Sequence, residues 1–337
     1  MSEAGKAKRS KRRSVAFQGE HGAFSEAAAA SHFQAVHGEE IDSQGHEDFA
    51  DVFGAVATGA ADFGIVPVEN SASGTLHTVY DMLLNSSLSI VGECSSIEEH
   101  CLCALPGTAL GSVTSVLSHP AMFEQCGQFL KKMDAERGTR LTREASWDTA
   151  AACAQIKDGK MANAAAIASR EAADMHKLAI LEAGIGNDKN NETRYLLVAN
   201  KPFELPDSAW HARIKLKCSI AVALQNAPNA LFKMVSCFAL RNLNILKIES
   251  RPASTASATT FKGDSAPGSP KRTIKHWDYI FYIDYEPSWD SCVNDNMLRS
   301  LSEFSVGVRS FGTYHQNLPD VVAVHSPWHG LAQLATC

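Results

Sequence analysis

Thr193 and Arg194 stand side by side where a polar loop, residues 187–192, gives way to an apolar run that reads as a strand, residues 195–199. A threonine hydroxyl can donate or accept a proton, and a guanidinium fork fits a carboxylate through two parallel hydrogen bonds. A loop-to-strand junction is stiff yet reaches solvent, which suits groups that must meet a substrate. An ordinary polar strand start would look the same in isolation. What the rest of the chain gathers around the pair decides between the two.

Four other junctions carry polar groups between a strand and a helix. The run Val15-Ala16-Phe17 ends in Gln18-Gly19-Glu20-His21-Gly22, before an alanine-rich helix over 26–36 that Ser25 caps. The buried-strand pattern Gly64-Ile65-Val66-Pro67-Val68 ends in Glu69-Asn70-Ser71, and an amphipathic helix follows over 76–84. The free N–H groups at that helix start favour an anion. A strand over 113–117 runs into Ser118-His119-Pro120, where proline suits the first helical position, and Gln125 falls in the first turns of that helix. Glu144-Ala145-Ser146-Trp147-Asp148-Thr149 precedes a fourth helix. In open α/β sheets ligands bind outside the carboxyl ends of strands, so two small α/β lobes with a cleft between them would make these junctions one site.

The chain of 337 residues is 45% hydrophobic, long enough for two or three packed units. A formal charge of −6 argues against a nucleic-acid partner held through phosphates, and no apolar run is long enough to span a membrane. Nine scattered cysteines suggest free thiols in a reducing compartment; Cys101 and Cys103 share one strand face, and no spacing suits zinc. The expected location is cytoplasmic, or the plastid stroma if the natural start is longer. Residues 1–13 form a basic tail expected to be disordered, 14–200 the two lobes and 201–213 a linker. Residues 214–316 follow the order βαββαβ of a ferredoxin-like unit, interrupted by a Ser-, Thr-, Ala-, Gly- and Pro-rich insertion at 253–275 expected to be disordered. Residues 317–337 form a tail without a usable pattern.

The chain resembles the prephenate dehydratases and their arogenate dehydratase relatives. The stretches that carry the resemblance begin with Val15-Ala16-Phe17-Gln18-Gly19-Glu20-His21-Gly22-Ala23-Phe24-Ser25 and Val66-Pro67-Val68-Glu69-Asn70-Ser71. They continue with Leu88-Ser89-Ile90-Val91-Gly92-Glu93, Ser118-His119-Pro120 and Thr193-Arg194-Tyr195, the last similar to the family's Thr-Arg-Phe. The C-terminal unit looks like an ACT regulatory domain, with Glu249-Ser250-Arg251-Pro252 as in the family and Asn229-Ala230-Leu231-Phe232 as a variant of its Gly-Ala-Leu-Val.

The resemblance implies a two-lobed catalytic domain like the periplasmic binding proteins, followed by an ACT domain that binds phenylalanine as feedback inhibitor. It implies loss of water and carbon dioxide from prephenate to give phenylpyruvate, with no metal or organic cofactor. Thr193 would protonate the departing ring hydroxyl, help worth roughly 10²- to 10⁴-fold. Arg194, Asn70, Ser71, Ser118 and Gln125 would hold the substrate, and Glu69 would align polar partners. Asn229, Ala230, Leu231 and Phe232, with Glu249, Ser250, Arg251 and Pro252, would receive phenylalanine between paired units of a homodimer or homotetramer. Trp147 beside Asp148 departs from the acidic residue family members often place there, so that role does not carry over. Prephenate is the expected substrate and arogenate a possible second one, with Glu69 and Asp148 the candidates for its ammonium. A non-catalytic amino-acid sensor would not need Thr193. A nicotinamide-dependent dehydrogenase is disfavoured because Gly184-Ile185-Gly186 meets Lys189 where the fingerprint needs glycine.

Overall fold

The computed structural model describes residues 12–202, 215–253, 261, 273–275 and 277–316. Nearly all of the expected tails, the linker and most of the insertion at 253–275 lie outside the described residues. The first lobe runs β1 (Ser14–Gln18), α1 (Phe24–His37), β2 (Asp42–His46), α2 (Phe49–Thr58), β3 (Phe63–Asn70), β4 (Gly74–Thr75), α3 (His77–Asn85) and β5 (Ser89–Ile97). The second runs β6 (Cys101–Ala104), β7 (Ser115–Ser118), α4 (Pro120–Gln125), α5 (Gly127–Arg137), β8 (Thr142–Ala145), α6 (Thr149–Gly159), β9 (Ala164–Ala168), α7 (Arg170–His176) and β10 (Ala179–Ala183). The chain then returns as β11 (Glu192–Ala199), inserted antiparallel between β3 and β5. The two sheets have the orders β2-β1-β3-β11-β5 and β10-β6-β9-β7-β8. The expected two-lobed α/β architecture is present, joined by two crossovers, β5 to β6 and β10 to β11.

Local chemistry explains the helix starts. Asp48 caps α2 and Asp148 caps α6, accepting from the amides of Ala150 and Ala151, while Ser169 caps α7. Gly22 has φ +94, and a Cβ there would lie 2.7 Å from Ala172 Cα. Its bare backbone therefore lets the β1–α1 turn press on the second lobe, where Ser169 Oγ donates to Gly22 O at 2.7 Å. The glycines of this turn serve lobe-to-lobe contact.

The C-terminal unit consists of β12 (Leu216–Leu224), α8 (Ala230–Ala239), β13 (Ile245–Pro252), β14 (Tyr279–Tyr285), α9 (Ser291–Phe304) and β15 (Gly307–His315). Its sheet order β13-β14-β12-β15 is ferredoxin-like, as expected. One sheet face is covered by α8 and α9; the other packs on the first lobe, so Tyr282 and Phe311 share a core with Ile90 and Leu196. Gly312 makes that approach possible: its φ is +135, and a Cβ would lie 2.5 Å from Ile90 O. Phe261, inside the segment expected to be disordered, is buried in this same core. Among the described residues no helix is long and apolar enough to cross a membrane.

Candidate active site

The four polar junctions and the return strand open on one cleft of about 460 Å³, lined among others by Gln18, Asn70, His119, Gln125, Trp147, Asp148 and Thr193. That is within the usual range for a small-metabolite site. Successive residues of β11 point to opposite faces of the sheet. Thr193 pairs with Asn70 across the ladder and Arg194 pairs with Glu69, so each pair shares a face. Thr193 and Asn70 face the cleft. Arg194 and Glu69 face the C-terminal unit.

On the cleft side a chain of side-chain amides fixes the direction of each proton. Asn70 Oδ1 accepts from the backbone N–H groups of Ala72 and Ser73, both at 2.9 Å, which settles its amide orientation. Asn70 Nδ2 must then be the donor to Thr193 Oγ1 and to Asn191 Oδ1, both at 2.8 Å. Asn191 Nδ2 donates to Gln125 Oε1 at 3.1 Å, and His100 Nε2 lies 2.7 Å from that oxygen. With Gln125 Oε1 as acceptor, His100 carries its proton on Nε2, leaving Nδ1 buried without a partner among the described residues. Within this chain, two donors are left without a partner among the described residues and belong to side chains that line the cleft: the Thr193 hydroxyl proton and the Gln125 amide.

His100 and Asn191 were not singled out from the sequence. His100 lies on the first crossover and Asn191 on the second, where the Glu98 amide donates to Asn191 O at 2.8 Å. Only the folded topology brings those segments together. Asn187 fixes the same loop to the break between α4 and α5, accepting from Gln128 N and donating to Glu124 O.

Helix starts supply the cleft's anion sites. His119 and Asp148 cap α4 and α6 with their own side chains, whereas no side chain caps α1. Ala23, Phe24 and Ser25 at that start line the cleft, so free amides and the positive end of the dipole face it. A substrate carboxylate suits this place. Asp148 also accepts from Glu20 N at 3.2 Å and is thereby engaged by three backbone amides.

Arg194 stands differently from the sequence expectation. Its guanidinium meets Asp284 at 2.9 Å, Glu93 and Glu69 at 3.2 Å and the Tyr80 hydroxyl at 3.2 Å. Burial alone would lower its pKa, but Asp284, Tyr80, Tyr314 and Glu93 raise it above its ordinary value. Three cations, Arg194, Lys217 and Lys247, thus neutralise three carboxylates, Glu69, Glu93 and Asp284. Glu69 is held by Arg194 and by Lys247 at 2.6 Å. Neither Arg194 nor Glu69 lines the cleft, because strand alternation sends both across the sheet. Ser118 is fully buried and donates to Ile167 O at 2.7 Å, while Ser71 accepts from Glu192 N at 2.9 Å and fastens the start of β11. These two are placed to hold the walls of the cleft.

In the C-terminal unit, Asn229 has φ +62 at the start of α8 and offers no side-chain cap, with Leu231 and Phe232 exposed beyond it. Glu249 accepts from Thr75 at 2.8 Å and lies 3.0 Å from His77, and Arg251 grips Asp81 through both carboxylate oxygens at 2.8 Å. Both side chains therefore tie β13 to the first lobe. Cys103 and the other described cysteines are free thiols, and no group of residues suited to a metal ion occurs among the described residues.

The sequence model of the family described as prephenate dehydratase matches residues 15–203, which include both lobes and every cleft residue named above. The chain belongs to the prephenate dehydratase family. Among relatives in this family, arogenate dehydratase/prephenate dehydratase 2, chloroplastic, of Arabidopsis thaliana is 38% identical over 89% of this chain and 72% of its own length. The prephenate dehydratase of Arthrobacter aurescens, solved in complex with L-Phe, superposes with a TM-score of 0.72 at 25% identity, covering 96% of this chain and 97% of that one. A protein described as GqqA, a novel type of quorum quenching acylase, gives 0.71 at 25% identity, covering 90% and 98%. One fold thus hosts more than one named chemistry, and the site must decide between them.

Proposed function

We propose that this dehydratase removes water and carbon dioxide from prephenate to give phenylpyruvate, and accepts arogenate to give phenylalanine. The observation that carries the reading is the hydrogen-bond chain that leaves the Thr193 hydroxyl proton facing the cleft. Breaking the bond between the ring and its carboxylate releases carbon dioxide and sends an electron pair into the ring. The ring then expels the hydroxyl at its far carbon, which takes the Thr193 proton and leaves as water. Gain of aromaticity drives both cleavages, so the protein need only orient the substrate and supply that proton. The start of α1 and the Gln125 amide supply the orienting contacts. Free thiols suit a reducing compartment such as the cytoplasm or the plastid stroma. Purified protein given prephenate and arogenate separately should form phenylpyruvate and phenylalanine well above the spontaneous rates. Binding without turnover of either would leave a non-catalytic sensor.

Phenylalanine acts back through the ferredoxin-like unit, read here as an ACT domain that associates into a homodimer or homotetramer. The uncapped start of α8 is the receptor for its carboxylate. Asn229→Asp puts a fixed negative charge beside this start, where it repels the ligand's carboxylate. The phenylalanine concentration for half-inhibition of the full chain should rise at least about tenfold. An unchanged inhibition curve would remove α8 from the effector site.

A further inference from the structure

The cleft holds a carboxylate that the elimination itself leaves unused. Glu98 is half-buried on the first crossover and lines the cleft. Its Oε1 accepts from the Tyr195 hydroxyl at 2.9 Å, and the Ser25 side chain stands beside the same phenol. Burial and the Glu98 charge push the Tyr195 pKa upward, so the phenol keeps its proton and remains a donor. Oε2 of Glu98 has no hydrogen-bond partner among the described residues. The other carboxylates of the cleft are placed otherwise: Asp148 is engaged by backbone amides, Asp48 caps α2 and is exposed, and Glu47 is exposed.

Ser25 belongs to the uncapped start of α1, so the chain Ser25–Tyr195–Glu98 links a carboxylate receptor to a free carboxylate oxygen. Those are the two halves of a receptor for an α-amino acid head group. A side-chain carboxylate seated on the α1 amides presents its neighbouring substituent towards Glu98. In arogenate that substituent is an ammonium, which completes an ion pair. In prephenate it is a keto oxygen, which would meet a carboxylate oxygen with no proton between them. Building on the dehydratase reading above, we propose that Glu98, steadied by Tyr195, reads the amino substituent of the substrate and favours arogenate over prephenate. Glu69 is turned across the sheet, and the charge of Asp148 is already compensated by three backbone amides on its Oδ2, whereas Glu98 holds a single phenol. Glu98 contacts the substrate; Tyr195 is a positioning residue, and its hydroxyl stands where the family triplet ends in phenylalanine.

The test is the ratio of kcat/KM for arogenate to that for prephenate, in the wild type and in Glu98→Gln, Glu98→Asp and Tyr195→Phe. The wild type should handle arogenate at least as well as prephenate. Glu98→Gln should lower the ratio at least tenfold, mainly through KM for arogenate, with kcat/KM for prephenate within threefold or higher. Glu98→Asp keeps the charge and should retain part of the preference, and Tyr195→Phe should lower the ratio about threefold. Equal losses on both substrates would assign Glu98 a structural role and overturn the proposal, and a ratio unchanged within threefold in Glu98→Gln would sink it. So would a wild type that turns over prephenate alone. A wild type inert to both would instead defeat the dehydratase reading before any variant is made.

Discussion

Arg194→Met should destabilise the protein by about 3–5 kcal/mol, the usual result of removing one partner from a buried ionic cluster. Glu93 and Asp284 are only 3% and 6% exposed in their side chains, and each would lose its 2.9–3.2 Å contact with the guanidinium. Lys217 would still hold Glu93 and Ser219 would still hold Asp284, so the cluster would be short of one charge rather than dissolved. In a thermal scan the loss corresponds to a fall in Tm of roughly 5–10 °C. Phenylalanine sensitivity should weaken as well, because Asp284 belongs to β14 of the C-terminal unit while Arg194 sits on the strand that carries Thr193. At a temperature where the variant is folded, KM should change less than about threefold, the mark of lost non-catalytic support. A Tm unchanged within 2 °C together with a KM raised more than about tenfold would return Arg194 to the role of carboxylate receptor.

Thr193→Val keeps the volume and removes the hydroxyl, and kcat should fall at least about 100-fold. The side chain is buried, so a methyl in place of the oxygen leaves the packing intact, and the cost is the missing proton donor together with one Asn70 Nδ2 hydrogen left unpaired. The other Nδ2 hydrogen still donates to Asn191 Oδ1, which keeps the rest of the chain to Gln125 in place. Thr193→Ser restores the hydroxyl without the methyl that limits its rotation and should retain part of the activity. A KM close to that of the wild type would locate the loss in the transition state rather than in binding.

Much of this site was legible in the sequence because strand-to-helix junctions announce themselves. Asn70, His119, Asp148 and Thr193 all sit at such junctions, and all reach the cleft. The misplacement of Arg194 came from treating neighbours in sequence as neighbours in space, although the apolar run after it already signalled a strand and therefore alternation. Glu69 faces away from its neighbour Asn70 for the same reason, and pairs with Arg194 and Lys247 instead of lining the cleft. Edge strands were the hardest elements to see: β2 is Asp-Ser-Gln-Gly-His, with no apolar alternation, and pairs with β1 along one side only. The ionic tie between the first lobe and the C-terminal unit was illegible, since Arg194, Lys217 and Asp284 are far apart in the chain and each reads as an ordinary surface charge. Tyr195 and Glu98 were visible as residues, but their hydrogen bond depends on the register of β11 against β5.

The shared core between the first lobe and the ferredoxin-like sheet also changes how regulation must be studied. Cutting the chain after Ala199 would uncover Ile90, Leu196 and the Arg194 cluster, so the intact chain is the proper subject.

In the proposed mechanism one hydroxyl, aimed by Asn70, supplies the proton that lets the ring oxygen leave. Single-turnover kinetics of Thr193→Val at saturating substrate, with excess enzyme, isolate that step from substrate binding and product release. The rate constant should fall at least about 100-fold below that of the wild type, with the substrate dissociation constant within about threefold. A rate within about fivefold of the wild type would contradict it and send the search for the proton donor elsewhere in the cleft.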